Sequence, residues 1–197
     1  LSGAGWEWIN AGFLAGGLYL LYRKIITWHI PATVLGTMAM MDVNQSWGSL
    51  PTRNCQDVQF EGVDGINVAA MLKVRKSDGK ANLKTNKGCF ACTIACGRVS
   101  VIDPEHFSIR DKGDKYKGAE GGLEYEGAFA LGPFCGVGDI EAATYAQALC
   151  NEHSMDPISF GATLGAAMEL FEIGAITTED TGGMALNFGS AEALCWA

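Results

Sequence analysis

Three cysteines close together near the middle of the chain are the residues best suited to chemistry. Cys89, Cys92 and Cys96 lie in the segment Gly-Cys-Phe-Ala-Cys-Thr-Ile-Ala-Cys-Gly-Arg, residues 88–98. On a helix, residues three and seven positions apart share one face, so the three sulfur atoms would converge. Thiolates are soft ligands that suit iron–sulfur clusters or zinc, and a bound metal keeps them deprotonated. The spacing therefore predicts a metal site. Zinc is the less favoured metal, because no second cysteine pair or close histidine pair completes four ligands.

The charge and cysteine content of the chain limit its partners and its compartment. The 197 residues include 22 acidic and 14 basic side chains, giving a net charge of −8. Nucleic-acid binding needs an excess of Lys and Arg to displace counterions from phosphates, so this class is excluded. The seven cysteines are an odd number, and the sequence shows no cleavable signal peptide. We therefore expect a reducing compartment: the cytoplasm or the cytoplasmic face of the inner membrane.

The first 41 residues form a distinct apolar region. Their only charged side chains are Glu7, Arg23 and Lys24. Apolar runs of about 17 residues flank the basic pair, which is the lower limit for crossing a hydrocarbon core. The basic pair predicts a tight turn on the cytoplasmic side. Residues 1–41 therefore predict an apolar helical hairpin, which is either transmembrane or buried in a soluble protein.

The second region, from residue 42 onwards, has a different character. Residues 42–56 are polar and rich in turn formers, which predicts a domain boundary after residue 41 and a second domain over 42–197. Residues 73–87 carry six basic side chains against Asp78. This segment is either a solvated loop or a docking surface for an acidic electron carrier. Residues 103–122 are polar and rich in Gly and Lys, which predicts a long loop.

Helical signals predominate in the second region. Residues 66–72 predict a short helix. Asp139 is a candidate N-cap for a helix whose small and apolar residues recur at helical spacing. Ser159 is a candidate N-cap for the next helix, which we expect to stop at Gly174. Thr177-Thr-Glu-Asp180 is typical of a further helix start. The expected fold class is therefore mainly α.

Two stretches of the apolar region resemble a known membrane family. They are Gly-Trp-Glu-Trp-Ile-Asn (residues 5–10) and Gly-Gly-Leu-Tyr-Leu-Leu-Tyr-Arg-Lys-Ile-Ile-Thr-Trp-His-Ile-Pro (residues 16–31). Both are similar to a transmembrane stretch of the RnfD/NqrB family, membrane subunits of ion-pumping electron-transfer complexes. The covalent flavin attachment motif of that family is not visible, so no flavin site is carried over. The resemblance implies membrane contact through residues 1–41.

Several motifs of the second region occur in the order seen in one enzyme family. They are Gly-Ser-Leu-Pro-Thr-Arg-Asn-Cys-Gln (48–56), the cysteine motif (89–99), Leu-Glu-Tyr-Glu (123–126), Cys-Asn-Glu-His-Ser-Met-Asp (150–156), Ala-Met-Glu-Leu (167–170) and Glu-Asp-Thr-Gly-Gly (179–183). Together they resemble the middle of an aldehyde ferredoxin oxidoreductase, a tungsten- or molybdenum-pterin enzyme. The resemblance implies the helical region of that family.

The same resemblance implies a role for the clustered cysteines. Cys89, Cys92 and Cys96 correspond to three ligands of a [4Fe–4S] cluster beside the metallopterin. The family's fourth ligand lies far downstream, near the carboxyl end of a much longer chain. The remaining cysteines match no such position: they are Cys55, Cys135, Cys150 and Cys195.

Two further sites follow from the resemblance. Glu126 corresponds to an active-site glutamate that helps to activate water or to move protons, a role that suits a partly buried carboxylate with a raised pKa. Residues 151–156 correspond to a pterin-binding Asp-x-x-Gly-Leu-Asp motif and depart from it in three places, with Asn151 for the first Asp and Ser154 for Gly. Asn151 and Asp156 are thus the expected pterin contacts. A surface acid and an ordinary helix end are the alternatives on the residues alone.

These features predict part of an oxidoreductase. It would oxidise aldehydes to carboxylic acids at a tungsten or molybdenum bis-pterin and pass electrons through a [4Fe–4S] cluster to ferredoxin or another electron carrier. The family's amino-terminal domain and carboxyl-terminal third have no counterpart, so we expect an incomplete chain, inactive alone, within an oligomer or larger complex. One alternative is a membrane-anchored iron–sulfur subunit of an Rnf/Nqr-like complex without aldehyde chemistry. Another is an artificial join near residues 40–44.

Overall fold

The computed structural model describes residues 16, 18, 19, 36–92, 95–113 and 122–197. Most of the predicted apolar hairpin therefore lies outside the described residues, although residues 16, 18 and 19 are helical. Within the described ranges, no helix has the length and apolar character that a membrane span requires.

Helices dominate the regular structure of this part of the chain, which confirms the mainly α prediction. The α-helices are α1 (Ala39–Trp47), α2 (Val68–Leu72), α3 (Tyr125–Leu131), α4 (Ile140–Glu152), α5 (Pro157–Glu172) and α6 (Ala191–Trp196). Two short 3₁₀ turns span Val63–Gly65 and Pro133–Cys135. The strands β1 (Leu83–Lys87) and β2 (Gly97–Ser100) form an antiparallel pair.

The core lies where helices α3, α4 and α5 pack on one another. Helix α5 approaches α3 so closely that a side chain at Gly161 would overlap the carbonyl of Ala130, so only glycine fits there. Helix α6 covers α4, and α1 lies against α3. Large apolar side chains fill the interior, each contributing roughly 1.5–3 kcal/mol through burial. They include Met38, Met41, Leu50, Phe60, Ile66, Met71, Leu131 and Met168.

Helix α1 runs across the predicted boundary at residue 41. Met41 is fully buried in the same core as helices α3 to α5. Residues 42–47, which we expected to be rich in turns, continue the helix because one of its faces is held by this core. The helix ends at Gly48, whose φ of 66° is left-handed and favours glycine. The division of the chain into domains at residue 41 stays a prediction.

Three of the predicted helix limits are confirmed. The short helix expected at 66–72 is α2. The Asp139 carboxylate caps α4 by accepting hydrogen bonds from the backbone N–H groups of Glu141 (3.0 Å) and Ala142 (3.1 Å). Helix α5 stops just before Gly174, which has a φ of 74°.

Two predicted helix starts are wrong. The N-cap of α5 is Asp156 rather than Ser159: its carboxylate accepts a hydrogen bond from the Ser159 backbone N–H at 2.9 Å. Pro157 then occupies the first turn, where its missing N–H costs nothing. Thr177–Asp180 forms a turn and not a helix, because the Asp180 carboxylate accepts from the Thr177 N–H at 2.8 Å and closes the segment on itself.

The two-stranded sheet was not predicted from the sequence. Strands β1 and β2 pair with Asn86 opposite Arg98 and Lys87 opposite Gly97. Each strand has at most five residues, too few for a clear alternation of apolar and polar side chains. The sheet matters for function because the clustered cysteines lie in the loop that joins its strands.

Candidate cofactor-binding site

The described part of the cysteine loop is a turn and not a helix. Cys92 donates its backbone N–H to the Cys89 carbonyl at 3.0 Å, and Ala91 and Ala95 have left-handed φ values of 57° and 49°. A left-handed residue cannot continue a right-handed helix, so the expected helical face does not form there. Cys89 and Cys92 are exposed, and Cys96 is half-buried.

No preassembled metal site is present among the described residues, since no three His, Cys, Asp or Glu side chains there are placed to hold one ion. Ligation of a metal by Cys89, Cys92 and Cys96 therefore stays a prediction. Two exposed thiols in a short loop can still rearrange around a cluster, because metal binding and local folding are coupled.

A cavity of about 390 Å³ lies beside the cysteine loop, between the sheet and the facing ends of helices α3, α4 and α5. Residues with three different predicted roles line it: Cys89 as metal ligand, Glu126 as catalytic acid and base, and Asn151 as pterin contact. Other lining residues are Lys87, Gly88, Gly97, Arg98, Gly122, Glu124, Gly127, Gln147, Pro157 and Ile158. The fold thus brings together residues that are far apart in the sequence.

Glu126 lies in the first turn of α3, which begins after Glu124. The backbone N–H of Tyr125 donates to the Thr37 hydroxyl at 3.0 Å and ties this turn to the segment before α1. We expected a partly buried carboxylate, but the Glu126 side chain is exposed at the edge of the cavity. Its predicted role in proton transfer remains a prediction.

The two expected pterin contacts lie in different settings. Asn151 is in the last turn of α4, lines the cavity, and accepts a hydrogen bond from Gln147 Nε2 at 3.3 Å. Asp156 is an exposed helix cap, and hydrogen bonds from the Ser159 hydroxyl and backbone lower its pKa. Ser154 has a left-handed φ of 57°. This conformation favours glycine, which explains why the family motif has Gly at that position.

Arg98 is the cavity residue that the sequence reasoning missed. It follows Cys96 by two positions, but nothing in the sequence shows that its side chain is only 3% exposed. Its Nη1 donates to the carbonyls of Cys96 (2.9 Å) and Gly97 (3.0 Å). Its Nε and Nη2 are buried and have no hydrogen-bond partner in the described structure. Burial lowers the pKa of Arg98, although the charges of Cys96 and Glu124 act in the opposite direction.

The other four cysteines are placed away from this cavity in the described part of the chain. Burial raises the pKa of the Cys135 and Cys195 thiols to about 12 and also raises the pKa of Cys150. Such thiols stay protonated near neutral pH and are poor ligands where they lie. Cys55 is exposed, in a left-handed turn.

Comparison with known proteins identifies the class to which this fold and cavity belong. The family described as "Aldehyde ferredoxin oxidoreductase, domains 2 & 3" matches residues 23–197. The chain therefore belongs to the aldehyde ferredoxin oxidoreductase family, as the motifs indicated. The match begins inside the predicted hairpin.

Individual relatives carry the same family name. The chain is 37% identical over 165 residues to the tungsten-containing aldehyde ferredoxin oxidoreductase of Pyrococcus abyssi, covering 81% of this chain and 24% of that protein. It is 33% identical over 150 residues to the enzyme of the same name from Thermococcus kodakarensis, covering 75% and 21%. The chain thus spans about a quarter of the length of these curated relatives.

A short second similarity confirms the other resemblance. Over 39 residues the chain is 64% identical to the RnfD-type component of the ion-translocating oxidoreductase complex of Yersinia enterocolitica. This covers 20% of this chain and 11% of that protein.

Proposed function

We propose that this chain forms part of an enzyme that oxidises aldehydes to carboxylic acids at a tungsten or molybdenum bis-pterin. Electrons would pass through a [4Fe–4S] cluster to ferredoxin or another carrier. One observation carries the proposal: Cys89, Glu126 and Asn151, which have separate predicted roles, line a single cavity. The proposed setting is an oligomer or larger complex in the cytoplasm.

The residues around the cavity suit an anionic, sulfur-ligated group. Cys89, Cys92 and Cys96 supply soft thiolate ligands on one loop. Arg98 supplies a buried positive charge with two N–H donors that have no partner in the described structure. A cluster held by thiolates is negatively charged, so it would satisfy both the charge and the donors. The fourth ligand would come from outside the residues named here.

The reaction needs water and releases protons: an aldehyde and water give a carboxylic acid, two electrons and two protons. The metallopterin, when bound, supplies the two-electron oxidation. Glu126 at the cavity edge would accept at its carboxylate a proton from the water whose oxygen adds to the carbonyl carbon. Asn151 would orient the pterin by hydrogen bonds from the end of α4, and Asp156 would do so if its carboxylate leaves the cap of α5.

The segment before the cysteine loop suits an acidic electron carrier such as ferredoxin. The side chains of Lys73, Lys76, Lys80 and Lys87 are exposed, and β1 leads directly into the cysteine loop. Arg75 does not take part, because it is ion-paired with Asp78 and Glu141. Opposite potentials would raise the rate at which the carrier finds the cluster.

A second candidate function rests on the similarity to the RnfD-type component of ion-translocating oxidoreductase complexes. Residues 1–41 would then form an apolar hairpin that anchors an iron–sulfur module at the cytoplasmic face of the inner membrane. Fractionation of cells decides between the candidates on this point. Recovery in the membrane fraction supports the anchor, and recovery of the protein without detergent as a soluble species contradicts it.

Metal analysis tests the leading proposal. Anaerobically purified protein should contain iron and sulfide in the ratio of a cluster, and Cys92→Ser should lose most of both. Cys55→Ser is the matched control, since Cys55 is equally exposed but lies away from the cavity. Zinc in place of iron, or unchanged iron in Cys92→Ser, would contradict the proposal.

A further inference from the structure

The backbone of Arg98 is held firmly. Arg98 is the second residue of β2 and pairs with Asn86 of β1. Gly122 packs against the Arg98 carbonyl so closely that any side chain at residue 122 would overlap it. Gly36 lies against the guanidinium in the same way. The side chain therefore has little freedom to leave the cavity wall and reach solvent.

The guanidinium has one edge engaged and one edge free. Nη1 donates to the carbonyls of Cys96 and Gly97 and so fixes the end of the cysteine loop. Nε and Nη2 form the opposite edge, and both are buried without a partner in the described structure. These two donors have the parallel geometry that binds an anion through two acceptor atoms. Leaving them unpaired in a dry site is costly, which indicates an acceptor that the described chain does not supply.

Glu124 is the acid that the chain places near this edge. Its charge favours the charged form of Arg98, and its Oε1 lies beside Gly97. It does not, however, accept a hydrogen bond from the Nε or Nη2 of Arg98. The free edge therefore remains available beside Cys96.

We propose that Arg98 is a positioning residue for the [4Fe–4S] cluster. Its free edge would donate to the anionic sulfur of the cluster unit at Cys96, and its buried charge would raise the reduction potential of the cluster. Reduction adds a negative charge, and a nearby cation in a medium of low dielectric constant stabilises that charge. The inference rests on the proposed function, because it requires the cluster at Cys89, Cys92 and Cys96.

A redox titration tests the inference in the purified, cofactor-loaded enzyme that contains this segment. The reduced cluster is followed by electron paramagnetic resonance in the wild type, Arg98→Met and Lys76→Met. At the wild-type midpoint potential, Arg98→Met should lower the ratio of reduced to oxidised cluster about tenfold, which is 59 mV for one electron. Lys76→Met removes the same charge from an exposed site and should change the ratio less than about twofold.

A further variant keeps the test decisive if Arg98→Met does not assemble a cluster. Arg98→Lys keeps the charge but loses the two-donor edge, and should give a cluster with a ratio lowered about threefold. Wild-type ratios in both Arg98 variants would overturn the inference while leaving the proposed function intact. No cluster signal in the wild-type enzyme would instead overturn the proposed function.

Discussion

Two buried arginines of the described chain, Arg75 and Arg98, have opposite surroundings. Arg75 binds Asp78 through Nε (3.2 Å) and Nη2 (2.8 Å), and its Nη1 donates to Glu141 (3.0 Å) and to the Val101 carbonyl (2.8 Å). Burial opposes its charge, yet these partners raise the pKa of Arg75. For Arg98 the hydrogen-bond partners are two carbonyls, and burial lowers its pKa.

This difference separates a structural site from a site that awaits a ligand. The Arg75 network is complete within the chain: it joins the loop after α2 to the start of α4 and needs nothing more. In the cavity, two buried donors of Arg98 have no partner in the described structure, and they lie near the exposed Cys89 thiol and the exposed Glu126 carboxylate. A buried polar group without a partner therefore indicates function more clearly than a buried ion pair does.

The largest expected effect concerns two glutamates in equivalent positions. Glu126 and Glu141 each lie in the first turn of a helix, but Glu126 faces the cavity and Glu141 pairs with Arg75. In the cofactor-loaded enzyme, Glu126→Gln should lower kcat/KM for aldehyde-dependent viologen reduction by about 10²–10⁴-fold, because general acid–base catalysis is lost. Glu141→Gln is the control and should leave kcat/KM nearly unchanged. Equal turnover in wild type and Glu126→Gln would make Glu126 an ordinary surface acid.

Removing Arg75 should have the next largest effect, on stability. Arg75→Met leaves Glu141 with its carboxylate buried and its ion pair broken, and Asp78 loses two hydrogen bonds. We expect the free energy of unfolding in urea to fall by about 3 kcal/mol, the lower end of the range for breaking a buried pair. A loss below about 1 kcal/mol would show that the network is solvated.

Arg98→Met should have the smallest effect on stability in cofactor-free protein. The change removes an unpaired buried charge and replaces it with an apolar chain, which offsets the loss of two hydrogen bonds to carbonyls. We expect the free energy of unfolding to stay within about 1 kcal/mol of the wild type. A loss as large as that of Arg75→Met would mean that Arg98 is also structural, and the contrast between the two regions would disappear.

The sequence revealed local structure better than it revealed the site. Asp139 as a cap and Gly174 as a stop could be predicted because capping depends on the residue itself and its near neighbours. Ser159 failed as a cap because Asp156, three residues earlier, caps the helix through the Ser159 N–H itself. Motif order pointed to Cys89, Glu126 and Asn151, but their convergence depends on the packing of α3, α4 and the sheet, which periodicity does not encode.

The burial of Arg98 could not be predicted for a related reason. An arginine beside a cysteine motif is normally exposed, and its burial here results from Gly122 and Gly36 closing over it from distant positions. The short strands that hold it carry too few residues for a recognisable pattern.

Thiol footprinting tests the central claim, that the cavity beside Arg98 holds a thiolate-bound cluster, most directly. In cofactor-stripped protein at about pH 8, iodoacetamide should modify the exposed Cys55, Cys89 and Cys92, while Cys135, whose pKa is about 12, should not react. In loaded protein, mass spectrometry should find Cys89 and Cys92 protected and Cys55 still modified. Equal modification of Cys89 and Cys92 in both states would contradict the claim.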